Sequence, residues 1–235
     1  MTVTDSQLAL APPRDRSRQA APQVFEHLRE KIMSMELVPG TVLSRQELQL
    51  QFGLSSTPIR DALLKLAEES LVEIFPQHAT RVSPIDLDLA RQAAFLRRSI
   101  EIEMVHTLAS RPDPALIERL RQTLRLQQAF GDAGDLEQFN VQDRLFHRLM
   151  HEAAGVPDLW TLARRHSGHI ERLRRLHLPL AGKVEQTMRD HHAIVDAIEA
   201  GDPQRACREV REHLSRSLAY VAGIRAQYPA SYFRD

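Results

Sequence analysis

Apolar residues along the first third of the chain follow the 3.6-residue period of an α-helix. A helix is predicted over residues 21–34, and its apolar face is formed by Val24, Phe25, Leu28, Ile32 and Met33. Pro39-Gly40 then makes a turn. A second helix is predicted to begin at Ser44, which lies three residues before Glu47 as in a capping box, and to end at Gly53.

A third helix is predicted to begin near Thr57-Pro58, because proline suits the first turn of a helix. Two short helices joined by a tight turn form a helix-turn-helix, and the N-terminal residues of its second helix can reach DNA bases in the major groove. Residues 71–75 and 80–82 have the composition of strands and flank a turn. A β-hairpin, the wing, is therefore predicted after the third helix.

From residue 85 onward the pattern is helical, and no segment alternates as a strand would. Breaks at glycine and proline predict six helices, at 87–109, 113–130, 135–153, 158–178, 184–200 and 203–225. The predicted fold class is mostly α, an N-terminal winged helix-turn-helix followed by an all-α six-helix bundle. We place the two domains at 21–84 and 85–226, with a disordered arm over 1–20 and a tail over 227–235.

Composition and charge narrow the classes of function. Basic and acidic residues both number 31, and zero net charge argues against a general nucleic-acid coat but not against a sequence-specific DNA reader. The single Cys207 excludes a disulfide framework within the chain and favours the cytoplasm. No apolar run reaches about 18 residues, so no membrane span is predicted. The first twenty residues lack the apolar stretch of a signal peptide.

Histidine is concentrated in the C-terminal part, where eight of the eleven lie after residue 140. Asp143 and His147 are four residues apart and so share one face of a helix. A pair of antiparallel helices can bring His191 and His213 together. One carboxylate and three imidazoles would suit a divalent metal ion such as Zn, Ni, Mn or Fe. Spacing alone leaves open that Asp143 and His147 form a surface hydrogen bond.

The helix-turn-helix segment resembles the GntR family of repressors. The resemblance is carried by Leu37-Val38-Pro39-Gly40, by Glu47-Leu48 and by the dense run GLSSTPIRDAL at 53–63. It implies a homodimer that binds double-stranded operator DNA with a palindromic sequence. It also implies that Ser55, Thr57 and Arg60 contact DNA and that Arg45 contacts a phosphate.

Two positions depart from the family pattern. Ser56 replaces the usual Arg, and His78-Ala79 replaces the usual Arg-Gly of the wing. We keep Ser56 and His78 among the candidate DNA contacts and expect an altered sequence preference. The alternative for this segment is a small helical domain that binds a protein.

Residues 90–220 resemble the FCD ligand-binding domain of the FadR subfamily. The matching pieces are Arg97-x-x-x-Glu101, Asp143-Arg-Leu-Phe-His147, His191-His-Ala-Ile194 and His213. Metal-containing members have an Asp and three His in these places, so the resemblance implies a metal site at Asp143, His147, His191 and His213. Arg97 is the candidate for binding the carboxylate of a small organic-acid effector, because a guanidinium pairs with a carboxylate through two hydrogen bonds. A salt bridge to Glu101 is the alternative role for Arg97.

These features predict a transcription regulator, a repressor, whose operator affinity is controlled by a small carboxylate bound at the metal site. One alternative is a metal-dependent, hydrolase-like enzyme, because an Asp and three His can also activate water. No separate general base or nucleophile is placed by a motif, and we therefore expect no enzyme. A constitutive repressor with a purely structural metal is the other alternative.

Overall fold

The computed structural model describes residue 15, residues 17–75 and residues 79–235. The chain divides into two compact units, one formed by the described residues up to Asp88 together with Gln227–Asp235, and the other by Leu89–Ala226. Most of the predicted arm, residues 1–14 and 16, and the wing-turn residues 76–78 with His78 lie outside the described residues. The end of the predicted arm is ordered, because Arg18 pairs with Glu26 at 2.9 Å and helix α1 already begins at Ala20.

Three helices form the helix-turn-helix unit as the sequence predicts. They are α1 (Ala20–Met33), α2 (Arg45–Phe52) and α3 (Ser56–Glu68). The Oγ atom of Ser44 accepts a hydrogen bond from the Glu47 N–H at 3.3 Å, which caps the start of α2. Gly53 ends α2 in the left-handed conformation at φ 60°, a conformation that glycine adopts without a steric cost. The three helices close over one core, formed by Val24, Leu28, Ile32, Leu48, Ile59, Leu63 and Leu66.

Three short strands complete this unit as an antiparallel sheet. They are β1 (Val42–Leu43), β2 (Val72–Ile74) and β3 (Thr80–Val82), with β3 in the centre. The predicted wing is the β2–β3 pair, in which Val72 lies opposite Val82. Sequence analysis missed β1, because two residues are too few to show an alternating pattern.

The last residues of the chain return to this unit. Strand β4 (Ile85–Asp86) pairs in parallel with β5 (Phe233–Arg234), so the residues predicted as a tail contribute a strand. Phe233 is buried, and the Arg234 guanidinium contacts Glu73 at 2.7 Å and Asp86 at 3.2 Å. Such long-range pairing leaves no local signal in the sequence.

The chain between Leu87 and Arg225, every residue of which is described, forms eight helices. They are α4 (Leu87–Ser110), α5 (Pro114–Asp132), α6 (Leu136–Ala153), α7 (Pro157–His166), α8 (Gly168–His177), α9 (Lys183–Glu199), α10 (Pro203–Ala219) and α11 (Val221–Arg225). The mostly helical fold class is confirmed. Helix α5 packs on α6 and α9, and α9 packs on α10. No helix among the described residues is long and apolar enough to cross a membrane.

Two of the six predicted helices are interrupted. The predicted helix 158–178 breaks at Ser167, whose Oγ bonds to the Ala163 carbonyl at 2.5 Å and whose ψ is 0°. Serine that bonds back to the preceding turn bends a helix, and the adjacent Gly168 is conformationally free. The predicted helix 203–225 breaks at Tyr220, which leaves the helical conformation at φ −103° and ψ 16°.

Candidate metal centre and effector pocket

Four side chains predicted as metal ligands converge inside the helical unit. Helix α6 carries Asp143 and His147 one turn apart, α9 carries His191 and α10 carries His213. One ligand atom from each of the four lies within 4.8 Å of the others, and all four residues are buried. The turn at Gly201 reverses the chain between α9 and α10, which places the rings of His191 and His213 4.7 Å apart. Burial also removes the alternative of a surface hydrogen bond for Asp143 and His147.

Each of the three imidazoles has a polar neighbour at Nδ1. In His147 this atom lies 2.8 Å from Oε2 of Glu101, and in His213 it lies 3.5 Å from Oδ2 of Asp190. In His191 it donates to Oε1 of Gln127 at 2.9 Å. In His191, where Nδ1 is hydrogen-bonded, Nε2 is the atom left to bind an ion, and it lies 3.5 Å from Oδ1 of Asp143. Metal-ligating histidines in general hold their second nitrogen in this way.

The donor set fits a divalent transition metal. The Nε2 atoms of His147 and His191 are buried and make no hydrogen bond among the described residues. Burying such atoms costs free energy unless something satisfies them, and a bound cation would do so. Three imidazoles and one carboxylate are a nitrogen-rich set of the kind that Zn, Ni, Mn and Fe accept.

The local field keeps Asp143, His191 and His213 in the protonation states that a metal requires. Burial alone would raise the pKa of Asp143, but the Arg174 guanidinium and the histidines hold it well below its usual value. Burial lowers the pKa of His191 well below its usual value and lowers that of His213 to about 4. The carboxylate is therefore ionised and these two imidazoles are neutral near pH 7, so neither has to lose a proton to bind an ion.

A small cavity of about 30 Å³, partly open to solvent, lies beside the cluster. Its wall includes Asp143 and His213 together with Arg97, Arg174 and Lys183. Hydrogen-bonding side chains and apolar side chains make up the rest, namely Asn140, Thr187, Ser217, Ala94, Phe139, Ile170, Leu178 and Leu214. The candidate metal ligands and the cationic side chains therefore face the same space.

Arg97, the residue predicted to bind an effector, lines the cavity and is also engaged in buried ion pairs. Its Nε donates to Oε1 of Glu101 at 2.9 Å, and its Nη1 donates to Oε1 of Glu171 at 3.3 Å. The salt bridge to Glu101 considered from the sequence is thus present, and the effector-binding role stays a prediction. Its partner Glu101 is the same residue that contacts His147.

Sequence reasoning missed several residues that shape the site. They are Glu101 in its contact with His147, Gln127, Asp190, Glu171, Arg174 and Lys183. Most of them reach the group that they contact from another helix, where no spacing rule applies. The available signals are that Glu101 lies one turn after Arg97 and that Arg174 lies one turn after Glu171.

The candidate DNA-contact residues lie at exposed positions of the helix-turn-helix. Arg45 is the first residue of α2, and Ser55 is the residue that precedes α3. Ser56, Thr57 and Arg60 follow in the first turns of α3, and all five residues are exposed. This placement leaves the N-terminal end of α3 open to a partner. His78 falls outside the described residues.

Comparison with known proteins defines the class. Residues 20–82 match the family described as "Bacterial regulatory proteins, gntR family", and residues 92–216 match the FCD domain. An HTH-type transcriptional regulator in an unstable DNA locus of Streptomyces ambofaciens is 34% identical over 90% of this chain and 89% of its own length. The HTH-type transcriptional repressor RspR of Escherichia coli is 28% identical over 87% of this chain and 90% of its own.

A solved structure shares the fold. The protein McbR/YncC of E. coli superposes with a TM-score of 0.74 at 22% sequence identity, covering 90% of this chain and all of the other. The family matches and the fold together define a DNA-binding transcription regulator with a winged helix-turn-helix and a helical FCD domain. The chain belongs to the GntR family, and its FCD domain fits the FadR subfamily.

Proposed function

We propose that this regulator is a homodimeric repressor whose affinity for a palindromic operator is controlled by a small organic acid. The domains that we assign to these two tasks are residues 21–84 and 85–226. The proposal is supported above all by one observation, the convergence of Asp143, His147, His191 and His213 beside a cavity lined by cationic side chains.

Asp143, His147, His191 and His213 would hold a divalent ion in this account. Zn, Ni, Mn and Fe are all compatible with the donor set. The bound ion would supply a positive centre that favours a carboxylate in the adjoining cavity. Arg97, which lines the cavity, would offer a guanidinium to the same anionic ligand.

Control of DNA binding requires the effector to favour one conformation of the protein over another, because only differential binding shifts an equilibrium. A coupling free energy of about 1–3 kcal/mol would change operator affinity about 5- to 150-fold. Arg60, Thr57, Ser55 and Ser56 at the start of α3 would contact base edges or phosphates, and Arg45 a phosphate. The same α3 residues on two protomers would contact two half-sites.

The test is selection of bound duplexes from a random DNA pool by the full-length protein, supplied with zinc, at fixed moderate salt. A palindromic motif is expected. Arg60→Ala should weaken or relax that motif, whereas the control Arg125→Ala, an exposed arginine on α5, should leave it unchanged. No enrichment over random duplexes would refute the proposed palindromic operator.

Effector control is tested on the selected operator. A panel of small mono-, di- and hydroxycarboxylates is added to the protein–operator complex, and the dissociation constant is measured for each. At least one compound should change it about fivefold or more. The Asp143→Asn variant should not respond to that compound. A zinc-dependent melting temperature with no response to any compound would instead favour a structural metal.

A further inference from the structure

Arg174 holds a carboxylate that the metal centre also needs. Its Nη2 atom donates to both oxygens of Asp143, at 2.9 and 3.1 Å, and its Nη1 atom donates to Oε1 of Glu171 at 3.0 Å. Asp143 is at the same time the only carboxylate among the four clustered ligand residues. The Arg174 guanidinium therefore hydrogen-bonds to a candidate metal ligand without being a metal ligand itself.

Arg174 also lines the cavity, and there it has a second cation for a neighbour. Lys183, the first residue of α9, lines the same wall, and no carboxylate lies within 4.0 Å of its ammonium group among the described residues. Burial and, next in size, the positive charge of Arg174 lower the pKa of Lys183 to about 8. The cavity wall thus carries Arg97, Arg174 and Lys183 against the single carboxylate of Asp143.

A metal ion and the Arg174 guanidinium would repel each other if both bound the carboxylate of Asp143. A divalent ion coordinated by Asp143 would lie close to the Arg174 guanidinium, and the repulsion between like charges is strong in a buried site. A guanidinium that shares its carboxylate keeps donors available for another anion, because it has five N–H groups in a planar fork. An anion placed between Arg174 and Lys183 would relieve the repulsion.

We propose that Arg174 competes with the metal ion for Asp143, and that an anionic group of the effector, bound by Arg174 and Lys183, relieves this competition. Metal and effector then bind cooperatively through one arginine. The effector class that follows is a small molecule with at least two anionic groups, one near the ion and one at the Arg174–Lys183 pair. This inference rests on the proposed function, since it assumes that the cluster holds an ion.

The experiment measures zinc affinity of the full-length protein by competition with a chromophoric chelator, first in chloride. Arg174→Gln should bind zinc about tenfold more tightly than the wild type, because a repelling charge and a rival for Asp143 are both removed. Arg174→Lys keeps the charge but cannot span both oxygens, so its affinity should lie between the two. Arg175→Gln is the matched control, because Arg175 is the next residue of α8 and pairs with Glu137, outside the cluster.

Sulfate then replaces chloride at constant ionic strength as a probe dianion. Zinc binding should tighten in the wild type, and this response should be lost in Arg174→Gln. Weaker or unchanged zinc binding by Arg174→Gln would overturn the competition and make Arg174 a residue that only orients Asp143. An equal response to sulfate in both proteins, or none in either, would overturn the anion subsite.

The outcome separates this inference from the proposed function. Wild-type protein that binds no zinc at all would remove the metal centre and this inference with it. If the wild type binds zinc but Arg174→Gln does not bind it more tightly, or both proteins respond to sulfate alike, the inference alone is refuted.

Discussion

Nδ1 of His147 lies 2.8 Å from Oε2 of Glu101, and each of the two side chains is only 1% exposed. This contact orients the imidazole and leaves its Nε2 for the cluster. Burial alone would raise the pKa of Glu101, but Arg97 and His147 hold it below its usual value. Glu101 is therefore an ionised carboxylate that makes His147 a better electron donor.

Replacing Glu101 with Gln should weaken zinc binding about 10- to 100-fold, the range typical for the loss of a group that orients a metal ligand. The neutral amide keeps the size of the side chain, and Arg97 keeps its contact with Glu171. Affinity is measured by chelator competition, and folding is checked by circular dichroism. The control is Glu103→Gln, an exposed residue on the same helix, which should bind zinc as the wild type does. Unchanged affinity in Glu101→Gln would show that Glu101 serves only Arg97.

His177 should make the protein sensitive to acid. Its ring stacks on Tyr220 with centroids 4.9 Å apart, and burial followed by the charge of Lys183 lowers its pKa to about 4. The unfolded chain binds this proton near pH 6.5, so the native state binds it less readily. The stabilising contribution is complete above pH 6.5 and is lost as the pH falls toward 4.

The loss should be on the order of 1–3 kcal/mol in the free energy of unfolding, measured by urea denaturation between pH 7 and 4 with chelator present. His177→Gln cannot titrate and should show a shallower pH dependence over that range. His192→Gln replaces an exposed histidine on α9 and should follow the wild type. Identical pH curves for His177→Gln and the wild type would contradict the assignment.

Arg45, at the exposed start of α2, should act on DNA affinity through charge rather than through sequence. Arg45→Ala should weaken binding to operator and to random duplexes by similar factors, and it should reduce the slope of log K against log salt by about one. Fluorescence anisotropy over a series of salt concentrations gives both quantities. A loss confined to one base position, with the salt slope unchanged, would place Arg45 at a base edge instead.

The C-terminal strand should stabilise the winged unit. Phe233 is buried and pairs with Ile85, so Phe233→Ala should lower the free energy of unfolding by about 1–3 kcal/mol. Arg234→Ala removes two partly exposed ion pairs and should cost only about 0–1 kcal/mol. Hydrogen exchange should speed up in β4 for Phe233→Ala, and Ser231→Ala, at an exposed position, is the control. Wild-type exchange in β4 would refute the stabilising role.

Secondary structure was predicted correctly where it depends on residues that are close in sequence. The capping contact of Ser44, the left-handed Gly53 and the bounds of α4, α5 and α6 all follow from side chains within one or two turns. The four candidate metal ligands could also be predicted from the sequence, because Asp143 and His147 share a helix face and the α9–α10 hairpin requires only a turn at Gly201. The family resemblance connected these pieces.

The remainder depends on contacts between distant segments. Strand β5 forms only because the chain end meets β4. Gln127 and Arg174 reach the cluster from α5 and α8, and neither has a sequence neighbour that would mark it. The charges that line the cavity likewise come from different helices and are brought together only when those helices pack.

The most direct test of the account is native mass spectrometry of full-length protein loaded with zinc and freed of excess metal. One tightly held ion per chain is predicted for the wild type, and none above background for Asp143→Asn combined with His213→Asn. The His192→Gln control should retain its ion. Zinc-free wild-type protein, or an unchanged ion count in the double variant, would contradict a metal centre at Asp143, His147, His191 and His213.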